Sequence, residues 1–174
     1  MSADHERQTA LKTIDFTWHA SSRTILAVLV LAAGTAQSQD KTSALRKHVG
    51  SPDYTALLSD PTVKANLTAV AGKQLPALMR NLSVSGDVDR IGGALMVAGN
   101  APHKGGEEEA VICVAEYNGK VEAALFSKSR ITVFAKDKNY EYLTICIKDW
   151  ITQVSSGHRD RIKQPGNVQF ANPG

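Results

Sequence analysis

The stretch AVICVAEYNGKVEAALF, residues 110–126, decides the fold class. Two apolar runs, Ala110 to Tyr117 and Lys120 to Phe126, flank the dipeptide Asn118-Gly119. Asn-Gly between such runs is a strong hairpin signal, because a type I′ turn requires positive φ at two successive positions. A two-residue loop then sets the register. Tyr117 faces Lys120, Glu116 faces Val121, Val114 faces Ala123 and Ile112 faces Leu125. Ile112, Val114, Val121, Ala123 and Leu125 share one face; Val111, Cys113, Ala115, Ala124 and Phe126 share the other, with charge only at Glu122 and Lys120. Both faces are largely apolar, so each is expected to be at least partly covered.

On either side of this hairpin the pattern continues. Ile91 to Ala98 reads as another strand, and Ile131 to Ala135 with Tyr140 to Ile147 as a second hairpin around Asp137-Lys138-Asn139, for about five strands. The preceding third is helical. Asp60-Pro61 is a cap followed by proline at the first helical position, where no N–H is needed. Val63, Leu67 and Val70 recur at helical spacing, and Gly72 suits the left-handed residue that ends a helix. A shorter helical piece is expected over Asp53 to Leu58, and Leu75-Pro76-Ala77-Leu78 restarts a turn. The class is α+β.

Upstream, Thr24 to Ala33 (TILAVLVLAA) is an apolar run preceded by Arg23 and followed by the small residues Gly34, Ala36 and Ser38. It is shorter than the roughly 20 residues a membrane span requires. A positive flank, a short apolar stretch and a small-residue exit describe a secretory signal peptide. The expected division is a leader over 1–36 and one mature domain over 37–174, with an irregular C-terminal tail after Gln153, located in the periplasm. Cleavage after Ala36 or Ser38 would start the mature chain at Gln37 or Gln39. No later segment reads as a membrane span, so no membrane insertion is expected after cleavage.

The formal net charge is +3, with Lys and Arg spread from Lys41 to Lys163 rather than crowded on one face. Nucleic acid is therefore not expected as a partner. Cys113 and Cys146 form an even count, which in an oxidising compartment favours a disulfide. The strand reading opposes this. Two strand spacings separate them by about 9.6 Å, beyond the roughly 7 Å a disulfide tolerates, so two unbonded thiols are expected.

Common catalytic motifs are missing from the sequence. None of the histidines has a second ligand at metal spacing, no glycine-rich phosphate loop follows a strand, and no serine sits in a nucleophile elbow. Asp87-x-Asp89 reads as a polar turn. No catalytic residue, metal or cofactor is assigned, and the chain is not expected to be an enzyme. One loop stands out. Gly99-Asn100-Ala101-Pro102-His103-Lys104-Gly105-Gly106, then Glu107-Glu108-Glu109, spans eleven residues, long for a hairpin connection. Pro102 restricts Ala101 to extended backbone, the glycines let the chain return, and His103 is pushed outward.

The segment Val70-Ala71-Gly72-Lys73-Gln74-Leu75-Pro76-Ala77-Leu78, the strand leading to Pro102-His103, and the hairpin ending in Leu125-Phe126-Ser127 resemble the family called inhibitor of vertebrate lysozyme. That resemblance implies a curved antiparallel sheet with helices on one face and a protruding loop. It also implies that the loop histidine, here His103, enters the cleft of a c-type lysozyme and hydrogen-bonds its two catalytic carboxylates. Pro102, His103, Lys104, Gly105 and Gly106 would then be the inhibitory loop, flanked by Ala101, Glu107, Glu108 and Glu109. An imidazolium donates from both nitrogens and can satisfy two carboxylates at once, through charge-assisted bonds. In the family a cysteine on each side closes this loop; here Ala101 precedes Pro102 and Gly105-Gly106 follow Lys104, and neither cysteine is present. The alternative reading is a relative that binds another envelope protein or ligand without inhibiting lysozyme. A homodimer is left open.

Overall fold

The computed structural model describes residues 44–157 and 168–171. The leader over 1–36, the proposed cleavage sites and most of the tail lie outside the described residues.

The helical third forms as its caps dictate. A short helix α1 (Thr55–Leu58) precedes α2 (Pro61–Ala71), whose N-cap Asp60 accepts hydrogen bonds from the backbone N–H groups of Thr62 and Val63. A single 3-10 turn, Gly72–Gln74, leads into α3 (Leu75–Asn81). Val63, Leu67 and Ala71 of α2 and Leu78 of α3 are buried.

Seven strands follow among the described residues: β1 (Val84–Ser85), β2 (Asp89–Ile91), β3 (Ala94–Asn100), β4 (Glu108–Ala115), β5 (Val121–Ser127), β6 (Arg130–Phe134) and β7 (Val168–Phe170). They make one open sheet in the order β1-β3-β4-β5-β6-β7, with β2 also paired to β3. Every pairing is antiparallel except β6–β7, which is parallel. The expected strand over Ile91 to Ala98 is divided. Gly92 and Gly93 both have positive φ and turn β2 back onto β3, pairing Ile91 with Ala94. A Gly-Gly dipeptide is itself a two-residue hairpin signal.

The central hairpin is present, displaced by two residues. Val114 pairs with Val121 and Ile112 with Ala123, and Glu116 to Gly119 form a four-residue loop closed by Ala115 N–H to Lys120 O at 2.8 Å. Only Gly119 in that loop is left-handed. A shift of two preserves the side-chain alternation, so both faces are composed as expected. Leu95, Val97, Ala110, Ile112, Val114, Val121, Ala123 and Leu125 pack under α1, α2 and α3.

The other face corrects the expected second hairpin. Tyr140 to Ile147 is not a strand: Tyr140–Tyr142 is a 3-10 turn and Ile145–Gly157 is a helix, α4. Cys146, Ile147, Trp150, Ile151 and Val154 form its buried stripe, against Ala94, Met96, Val111, Cys113, Ala124 and Phe126. Helices therefore cover both faces, not one. The helix start is held by Glu122, fully buried, whose Oε2 accepts from the Thr144 N–H and hydroxyl at 2.8 Å each. Lys120 lies 3.2 Å from both Glu122 Oε1 and Asp137 Oδ2. Burial alone would lower the Lys120 pKa, but these two carboxylates outweigh it and hold it above the ordinary lysine value.

The helix also overturns the expectation of free thiols. Cys113 on β4 and Cys146 in the first turn of α4 are disulfide-bonded, with Cα atoms 6.1 Å apart. The expected separation assumed two strands side by side in one sheet. Here the second cysteine sits on a helix stacked over the first, at disulfide distance.

A second buried carboxylate ties the N-terminal region to the hairpin. Glu116, 3% exposed, receives Arg46 Nε at 2.6 Å and Arg90 on its other oxygen. Burial raises a carboxyl pKa, yet the two guanidiniums prevail and hold Glu116 below the ordinary value. A depressed folded-state pKa contributes stability above the unfolded value and loses it as pH falls through the folded one. Glu116→Gln should therefore destabilise the neutral protein by about 1–3 kcal/mol and flatten the acid limb of its stability profile. Urea unfolding between pH 3 and pH 7 reads this directly; an unchanged slope would remove Glu116 from the account.

Candidate functional site

The loop between β3 and β4 is shorter and more ordered than its sequence suggests. β3 extends to Asn100 and β4 begins at Glu108, with Gly99 paired to Ala110 and Asn100 to Glu109. The connection is therefore Ala101 to Glu107, and Glu108 and Glu109 belong to the strand. Pro102, His103, Lys104 and Gly105 are exposed at its tip, and Gly106 is half-buried. Ala101 is buried and anchors the loop rather than presenting it.

Two consecutive turns build the tip. Lys104 N–H donates to Ala101 O at 3.0 Å, enclosing Pro102 and His103. His103 has φ of +59°. Proline followed by a left-handed residue is the pattern of a type II turn, whose third position usually takes glycine or asparagine. Glu107 and Glu108 N–H groups then both donate to Lys104 O at 2.9 Å, and Gly106 supplies the next positive φ, +79°. Ala101 N–H to Glu108 O at 3.0 Å closes the base.

Side chains reinforce these turns. Asn100 Nδ2 donates to Ala101 O at 2.8 Å, Lys104 Nζ lies 3.3 Å from Glu107 Oε2, and Glu109 Oε1 accepts from Gly106 N–H at 3.0 Å. From α3, Arg80 reaches Glu108 Oε2 at 3.5 Å, and buried Asn81 donates to the Glu109 carbonyl at 3.5 Å. The three glutamates thus bind their own chain. The loop lacks a covalent staple but is closed by hydrogen bonds at its base, middle and tip.

Asn100, Arg80 and Asn81 carry no sequence signal for this role; only the tertiary packing of α3 beside β4 brings the latter two there. Next to the loop lies the β5–β6 turn, because Glu108 pairs with Ser127. Its two residues, Lys128 and Ser129, also have positive φ, +52° and +59°. Together with His103 they are all the left-handed non-glycine residues among the described ones, and all lie at one end of the sheet. Such positions cost about 1–3 kcal/mol each and cluster at binding sites. A groove of about 260 Å³ runs between the two connections, lined by Gly106, Glu107, Glu108, Ser127, Lys128 and Ser129.

Among the described residues, no group of three or more His, Cys, Asp or Glu could hold a metal ion, and no helix is long and apolar enough to cross a membrane. Cys113 and Cys146 are consumed by their bond. The described residues present a sheet with helices on both faces and an exposed histidine at the tip of a self-bonded loop. The chain belongs to the inhibitor of vertebrate lysozyme family, whose model matches residues 62–156, more than half its length. The match spans α2 through nearly all of α4 and includes the loop. No curated protein and no solved structure matches the chain. The family is one of inhibitors rather than enzymes.

Proposed function

We propose that this chain is an exported inhibitor of a c-type lysozyme that protects peptidoglycan by inserting the His103 loop into the enzyme's cleft. The observation that carries this reading is the placement of His103, exposed at the tip of a self-bonded loop, in a chain of a lysozyme-inhibitor family. Its two ring nitrogens can donate to two carboxylates together when the ring is charged. Ordering a backbone residue on binding costs about 1–2 kcal/mol, and a loop already folded into two turns avoids much of that. The periplasmic location is supported by the leader-like segment before Gly34 and by the disulfide, since such bonds persist in oxidising compartments.

Occupancy of the cleft is the testable content. Titration of residues 37–174 into lysozyme should give a complex that a soluble N-acetylglucosamine oligomer displaces competitively. Equal affinity with the cleft filled would place the contact elsewhere. No affinity at micromolar concentration would favour the relative that binds another envelope component, a reading supported by the absent loop cysteines.

A further inference from the structure

We propose that Glu109 is the positioning residue of the loop: its carboxylate clamps the Gly106 N–H and so holds His103 in its left-handed, outward conformation. This rests on the preceding reading only for its consequence, not for its geometry. The loop's other hydrogen-bonded backbone donors, on Ala101, Lys104 and Glu107, go to neutral carbonyls. Gly106 N–H alone goes to an ionisable side chain, at 3.0 Å. Charge-assisted hydrogen bonds are roughly twice as strong as neutral ones, so this contact is the strongest single tie across the second turn.

The clamp is itself held. Glu109 is half-buried in β4, paired through its backbone with Asn100 on one side and Phe126 on the other. Its carbonyl receives the amide of Asn81, which is 1% exposed. A carboxylate on a central strand is a fixed point, whereas Lys104 and Glu107, at the tip, are exposed and mutually paired. Gly106, with φ of +79°, lies inside the second turn, which the Glu107 and Glu108 N–H groups close on Lys104 O, so holding its N–H restrains that turn. The Lys104 N–H closes the His103 turn. The chain of contacts is short: Glu109 to Gly106, Gly106 to the Lys104 turn, Lys104 to the His103 turn.

Hydrogen exchange of the Gly106 and Lys104 amides, followed by NMR in the mature protein, tests the clamp without any lysozyme present. Glu109→Ala should speed exchange of both amides by about tenfold or more, the loss of a hydrogen bond to a charged acceptor, while amides of the β4–β5 ladder stay protected. Glu109→Gln keeps an acceptor oxygen and should restore part of the protection. Affinity for lysozyme should fall in the same order, mainly through a slower association rate, with the wild-type complex as reference. Unchanged Gly106 and Lys104 exchange in Glu109→Ala would overturn the clamp, whatever lysozyme does. Faster exchange with unchanged affinity would overturn its positioning role for His103. Faster exchange in the absence of any wild-type binding would keep the clamp and reject the lysozyme reading instead.

Discussion

Replacing His103 with alanine is expected to weaken the complex with a c-type lysozyme by about 2–5 kcal/mol. Truncating one partner of a buried charge pairing leaves the other side desolvated and unpaired, and here two carboxylates would lose their shared donor. The fold itself should be indifferent, because His103 is exposed and makes no contact with either core. His103→Ala should retain the wild-type thermal midpoint, so its loss of affinity is not a loss of fold. The pH sign follows from the same contact. Two carboxylates favour the protonated imidazole, so the complex is strongest on the acid side of the histidine range and weakens as pH rises through it. The lysozyme carboxylates must remain ionised at the acid end. Calorimetric titration from pH 5 to pH 9 should show this slope in the wild type and lose it in His103→Ala.

Opening the Cys113–Cys146 bond is the second large effect. The two cysteines are 33 residues apart in sequence, and cross-linking a segment of that length stabilises a fold by about 3–4 kcal/mol in the loop-entropy description. The bond also staples α4 to the sheet at the end where Glu122 receives Thr144. A Cys113→Ala, Cys146→Ala double variant should therefore unfold at markedly lower urea, with α4 loosening first and exposing Met96, Val111 and Phe126. Wild-type protein treated with reductant should behave alike. A free thiol titrated after denaturation without reductant, or an unchanged urea midpoint in the variant, would contradict this.

Much of the fold was legible because its signals are local. Asp60-Pro61 caps a helix by chemistry confined to four residues, and alternation over 110–126 decides which side chains share a face. The register slipped by two because Asn118-Gly119 can close a four-residue loop as well as a two-residue one, and only the face assignment is insensitive to that choice. Meanwhile the two-residue turns formed at Gly92-Gly93 and at Lys128-Ser129, the latter without any glycine to announce it. Tyr140, Tyr142, Ile145 and Ile147 have strand propensities, which tertiary packing overrides in the 3-10 turn and at the start of α4. The stripe at Cys146, Ile147, Trp150, Ile151 and Val154 was the contrary signal, and Thr144 its cap. The expectation of free thiols falls with the strand, because Cys146 stands on a helix stacked over Cys113.

At the candidate site, the protruding histidine followed from Pro102 and the surrounding glycines, while the order of the loop did not. In the sequence, Glu107, Glu108 and Glu109 read only as the flank of the loop. Each instead binds a neighbour: Lys104, Arg80 and the Gly106 N–H. Arg80 becomes a neighbour only when α3 packs beside β4, whereas Lys104 and Gly106, each three residues from its glutamate, are brought there by the turns of the loop.

If His103 plugs a lysozyme cleft, the effect is visible in the lysis of a peptidoglycan suspension. Turbidity is followed with a c-type lysozyme and rising amounts of mature protein, wild type and His103→Ala side by side. The wild type should slow lysis in a dose-dependent manner, and His103→Ala should lose most of this effect while remaining folded. Equal inhibition by both proteins, or none by the wild type at micromolar concentration, would contradict it.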